Sequence, residues 1–150
     1  MSAEIALTTH TRRSAVIVAV VAVMTVVGIS CVDRLPVEDR RITSAPLVAK
    51  LSADVLWRDY QQDSKAANQR YFGGAIEISG KVTAIEPESP AGPVVMFGQT
   101  ETLGVRAILL GDQAADIVKA ARVNERITLK CFCEGKTLEG HVSLRSCIRP

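Results

Sequence analysis

Cys131, Cys133 and Cys147, with His141 between them, are the only concentration of reactive side chains in the chain. Thiolate and imidazole together suit Zn²⁺, but structural zinc sites usually draw on C-x2-4-C pairs held on a tight knuckle. A C-x-C spacing on a strand fits that geometry poorly, so the residues point to a disulfide rather than a metal, with Cys133–Cys147 and Cys131–Cys147 both open. A symmetric hairpin about Lys136-Thr137 would put Cys133 opposite Gly140 and leave Cys147 some seven residues further along, so either pairing needs a bulge or a shifted register. Catalytic sets are missing from the sequence. His10 lies in an N-terminal tail, His141 has no Ser or Asp arranged for a triad, and neither a Gly-rich phosphate loop nor a paired-His metal motif occurs. A non-enzymatic protein without a cofactor is expected. A second set is Phe97 with Lys81, Arg106 and Lys130, an aromatic and three cations that could form one ligand face. The competing reading is that Phe97 fills a core and the cations are a solvated surface balanced by Glu77 and Glu101.

These residues need a scaffold, and the sequence supplies one after residue 75. Ala75 to Ile85 alternates apolar and polar, with Ile76, Ile78, Val82 and Ile85 on the inward side, and Gly80 interrupts it where a long barrel strand would bend. Glu86 to Pro93 is a Pro/Gly-rich loop. Strands follow at Val94 to Gln99 and Gly104 to Leu110. A short helix runs from Gln113 to Ala121 behind Gly111-Asp112, and further strands cover Arg126 to Cys133 and His141 to Ile148. Five strands with a helix between the third and fourth is the order of an OB-fold barrel, a mainly β architecture whose second and third strands, with adjoining loops, commonly hold the ligand.

Upstream, Ser44 and Pro46 read as the start of a helix reaching about Arg70, with Leu51, Val55 or Leu56, Tyr60, Ala67 and Tyr71 recurring at three- and four-residue intervals. Gly73-Gly74 closes it. Trp57, beside that stripe, reads as a packing residue. Residues 33–45 carry Pro36 and the charges Glu38, Asp39, Arg40 and Arg41, the composition of an exposed linker. The expected organisation is therefore an N-terminal segment 1–32, a linker 33–45, and a domain 46–150.

Segment 1–32 contains an uncharged run from Ser14 to Val32 behind Arg12 and Arg13. That is close to the minimum length for a spanning helix and near the upper length of a signal peptide's apolar region, so anchor and signal are both open. The positive charge before the run keeps the N-terminus cytoplasmic and sends residue 33 onward across the membrane. Gly28-Ile29-Ser30-Cys31 partly resembles a lipidation site at Cys31, with Gly28 standing where a large aliphatic residue is usual. From Asp33 onward the chain has 16 Lys plus Arg against 15 Asp plus Glu. A domain so near neutrality lacks the electrostatic footprint of a dedicated nucleic-acid binder.

Leu56, Tyr60 and Ala67, then Tyr71-Phe72-Gly73-Gly74-Ala75-Ile76-Glu77-Ile78-Ser79-Gly80-Lys81-Val82, and finally Cys133-Glu134-Gly135 with Val142 to Ile148, together resemble the tRNA-anti-like family of OB-fold proteins. These are mostly small bacterial proteins with an N-terminal signal or anchor. The resemblance spans about Ala53 to Ile148 and implies architecture rather than chemistry, since members are largely of unknown function. It favours Cys133–Cys147 as the bonded pair. The expectation is an extracytoplasmic, membrane-tethered binding module of a bacterial envelope whose ligand is a protein, a peptide or an envelope polymer. Nucleic-acid binding is the first alternative and a cysteine-based metal or redox protein the second.

Overall fold

A computed structural model describes residues 39–98 and 103–150. The N-terminal segment, including Cys31 and the expected membrane span, lies outside the described residues.

The strands are β1 (Leu47–Ser52), β2 (Ala75–Glu86), β3 (Val94–Gly98), β4 (Gly104–Leu109), β5 (Arg126–Lys136) and β6 (Val142–Ile148), and the helices are α1 (Ala53–Gln62), α2 (Ser64–Tyr71) and α3 (Gly111–Ala120). β2 through β6 close a five-stranded barrel in the order β2-β3-β4-β6-β5, with β5 returning to β2. Closure depends on β2 serving two neighbours. Ala75 to Lys81 pairs antiparallel with Phe132 to Arg126, and Val82 to Glu86 pairs with Phe97 to Val94. Gly80 sits just before the changeover, where an added Cβ would fall 2.9 Å from the Ala53 Cβ and from Phe97 Cδ1. Only a glycine leaves room there for β2 to pass under α1 and the core phenylalanine.

Alternation sorts the barrel's faces. Ile76, Ile78, Val82, Val95, Phe97, Val105, Leu129 and Leu144 are buried in one core that also takes Leu56 and Tyr60 from α1, Ala67 from α2 and Ile117 from α3. Ile85, expected to point inward, is only half-buried. Trp57 packs against the core from its edge.

Two expectations for the N-terminal part of the domain change. The helix does not start at Pro46: Leu47 to Ser52 form β1, which adds to β2 in parallel with Leu47 opposite Ala75 and Ser52 opposite Ser79. Leu47, Ala49 and Leu51 fit a two-residue period as well as a helical one, and β2's edge, left bare beyond β3, offers the strand a partner. The true helix cap is Ser52, whose Oγ accepts the Val55 N–H at 3.3 Å. The helix is also divided. Asp63 turns extended and its Oδ1 accepts the Lys65 and Ala66 N–H groups at 3.0 Å, restarting the chain as α2.

Residues Asp39 to Ala45, expected as exposed linker, instead form a strap on the barrel's outer surface. A 3-10 turn at Arg40–Thr43 places Ile42 fully buried against Ala75, Leu110, Phe132 and Ile148. The Asp39 N–H donates to Ser146 Oγ at 3.0 Å. The Asp39 carboxylate accepts from Arg41 at 2.6 Å and pairs with Arg145 at 3.5 Å. Arg40 is bidentate to Asp112 at the start of α3.

Candidate ligand-binding face

In the barrel the second and third strands are β3 and β4. Their outer surface meets two loops, residues 87–93 after β2 and residues 137–141 between β5 and β6. Arg106 lies on this surface, since Arg106 pairs with Met96 while the inward Val105 pairs with Phe97. Its guanidinium donates to Ser89 Oγ at 3.3 Å and stands 3.7 Å from the Glu86 carboxylate. The side chain is a quarter exposed, enough to reach a ligand. Ser89 also accepts the Ala91 N–H at 3.3 Å, a turn within the first loop that Arg106 joins to the strand.

The second loop is pinned by Thr137, whose N–H donates to the His141 carbonyl at 2.8 Å. His141 is 7 % exposed, with Nδ1 3.6 Å from Glu139 Oε2. Burial holds its pKa below the ordinary value, Glu139 and Glu86 oppose that shift, and Arg106 adds to it. Leu138 projects fully into solvent at the loop tip, and Leu103 is also exposed. The face therefore combines a braced cation, two carboxylates and a hydroxyl with two apolar tips, over a buried imidazole. It can hydrogen-bond and ion-pair to an extended polar chain.

The four residues expected to share a ligand face do not converge. Arg106 belongs to the surface just described. Phe97 is completely buried in the core, its ring turned away from Arg106 by the strand's alternation. Lys81, opposite Arg126, and Lys130, opposite Glu77, lie on the outer wall made by β1, β2 and β5. Lys130 Nζ donates to the Thr43 carbonyl at 3.3 Å.

The bonded cysteines are Cys131 and Cys147, with Cα atoms 4.3 Å apart, so the favoured Cys133–Cys147 pairing is replaced by the alternative. The cause is a bulge in β6. Phe132 pairs with Arg145 but Lys130 pairs with Ile148, which leaves one extra residue on β6, and Ser146 absorbs it at φ 51°. Cys147 is thereby brought beside Cys131, while Cys133 faces Leu144. Cys133 remains a buried thiol 3.4 Å from Tyr60 Oη, and burial pushes its pKa up, the opposite of an activated thiolate. Among the described residues no three His, Cys, Asp or Glu side chains are grouped to hold a metal ion.

Sequence reasoning missed Asp39, Ile42 and Ser146. The available signal was a lone isoleucine inside a charged run, behind an Asp able to cap a turn.

A closed five-stranded barrel with a helix between its third and fourth strands defines the class: an OB-fold protein. The chain matches the tRNA_anti-like family model over residues 7–148 and belongs to that family. Among solved structures it is similar to a candidate nucleic acid-binding lipoprotein from Klebsiella pneumoniae, at 13 % identity and a TM-score of 0.51, covering 73 % of this chain and 95 % of that one. No curated protein matches the sequence.

Proposed function

We propose that the chain is a non-enzymatic binding module, tethered to a bacterial membrane by residues 1–32 with its barrel outside the cytoplasm. In this reading it takes an extended protein, peptide or envelope-polymer segment on the β3–β4 face. The carrying observation is the cluster of Arg106, Glu86 and Ser89 beside two loops, with no aromatic ring exposed among them. OB-folds hold single-stranded nucleic acid largely by stacking bases on exposed rings. All six aromatic residues are accounted for: Trp57, Tyr60, Tyr71, Phe97 and Phe132 are buried or half-buried, and exposed Phe72 follows α2 rather than lying on β3 or β4. The near balance of charge after residue 33 supports the same choice. Lipid attachment at Cys31 would supply the tether if the apolar segment is cleaved, an arrangement in keeping with the lipoprotein name of the Klebsiella neighbour.

Nucleic-acid binding is the second reading, favoured by that neighbour's name. Fluorescence anisotropy of labelled oligo-dT and oligo-U with the full chain in detergent, at low and high salt, separates the two. No binding at low salt is expected; affinity that falls steeply with salt would overturn the choice. Peptides selected from a displayed library should lose about tenfold in affinity on Arg106→Ala, the scale of one charge-assisted hydrogen-bonded contact. A reporter enzyme active only outside the cytoplasm, fused after Pro150, should be active.

A further inference from the structure

The wall opposite the ligand face is built in rows. On the outer side of β1, β2 and β5, Lys50 stands opposite Glu77 and Glu77 opposite Lys130; next come Ser52, Ser79 and Thr128; then Lys81 opposite Arg126. Lys50 and Glu77 form an ion pair at 3.2 Å, and with the hydroxyl row they line one shallow groove. Neither Lys81 nor Arg126 has an ion pair among the described residues, and both are exposed. Two like charges directly opposite in an antiparallel pair destabilise each other unless an anion lies between them. Four cations, one carboxylate and three hydroxyls thus make a cationic, hydroxyl-rich surface suited to phosphate oxygens.

We infer that this wall docks on the phosphate groups of an anionic lipid bilayer. Two observations favour a bilayer over a nucleic-acid backbone. The wall exposes no aromatic ring to stack a base, because Phe132, the only ring on this side of β5, is sealed under Ile42 of the strap. The strap also borders the wall, with Thr43 joined to Lys130. Only residues 33–38 separate Asp39 from the uncharged run that ends at Val32, a stretch of at most about 25 Å when fully extended. A domain so confined meets the bilayer surface at high effective concentration, so a modest cationic face suffices, each Lys or Arg near an anionic surface adding about fivefold to occupancy. This inference rests on the membrane-tethered reading.

The test uses the full chain with vesicles of phosphatidylcholine alone or mixed with phosphatidylglycerol, and lysine acylation read by mass spectrometry. Flotation with neutral vesicles at high salt reports the tether by itself. Lys50, Lys81 and Lys130 should be protected in anionic vesicles and not in neutral ones, while Lys65 on α2 and Lys119 on α3 react equally in both. The double substitution Lys81→Gln/Arg126→Gln, on an exposed surface, should cut the protection of Lys50 and Lys130 by about 25-fold. Flotation with equal acylation in both lipids would overturn the docking face and leave the tether standing. Failure to float on either lipid would overturn both. Protection of the same three lysines by oligo-dT without lipid would assign the wall to nucleic acid and overturn the bilayer as its occupant.

Discussion

The Cys131–Cys147 bridge makes the sharpest quantitative demand on the fold. It closes a loop of 16 residues, for which the chain-entropy relation gives about 3 kcal/mol of stabilisation at 25 °C through restriction of the unfolded chain. Both cysteines are fully buried, so Cys131→Ala/Cys147→Ala also leaves small voids and should lose about 3 to 5 kcal/mol. For a folded unit of about 110 residues the loop term alone lowers Tm by roughly 10 to 15 °C. Cys133→Ala keeps the bridge and forfeits the thiol's packing and its contact with Tyr60, about 1 kcal/mol. Guanidinium unfolding of the four species (oxidised, reduced, the double variant and Cys133→Ala) should place the first and last close together and the other two well below. Alkylation in denaturant without reductant, followed by chymotryptic cleavage after Phe132, separates Cys131 from Cys133 and shows which thiol is free. If Cys131 carries the label, or if Cys133→Ala costs as much as reduction, the β6 bulge is misplaced and the reasoning fails.

Gly80→Ala should cost about 1 to 3 kcal/mol in chemical denaturation, because its methyl would press on Phe97 and Ala53 where neither can retreat; an unchanged midpoint would mean that β2 does not bend there. His141 favours its neutral form in the fold, so its stabilising contribution is complete above the ordinary value near 6.5 and is lost as pH falls through the lower folded value. NMR titration should find the imidazole pKa below 6.5, and His141→Asn should flatten the slope of stability against pH in that window. Asp39 is held well below the ordinary carboxylate value of 3.8, mainly by its hydrogen bonds to Arg41. Its contribution is present above about pH 4 and lost at lower pH, so thermal melts of wild type and Asp39→Asn should differ at neutral pH and converge in strong acid.

What the sequence revealed follows from where local pattern and tertiary demand agree. β2 to β6 and α3 were legible because alternation, glycine and proline mark barrel strands whichever neighbour they find. β1 was not, since Leu47, Ala49 and Leu51 satisfy two periods at once and only the bare edge of β2 decides between them. The disulfide register was hidden for a related reason. A bulge at Ser146 leaves no trace in composition, because serine is not the residue that a positive φ usually selects. Of the four residues expected to share a face, only Arg106 lies on the outer surface of β3 and β4. Phe97 could have been removed by alternation alone, since an inward Val105 opposite it turns Arg106 the other way. The strap escaped because three of its first four residues are charged, and the partners that Asp39 and Arg40 find outside it, Arg145 and Asp112, lie more than seventy positions away in sequence.

Ser146 joins the inside of the barrel to its outside. Its left-handed backbone supplies the extra residue that lets Cys147 reach Cys131 within the core. The same residue's hydroxyl receives the Asp39 N–H that fixes the start of the strap, and neighbouring Arg145 reaches Asp39 as well as Glu134. The disulfide lies beside a backbone conformation that serine seldom adopts, and that serine presents the acceptor on which the strap seats. Reduction of the bridge is therefore expected to loosen residues 39–45, read as faster amide exchange at Asp39 in reduced than in oxidised protein; equal exchange would separate the bridge from the strap.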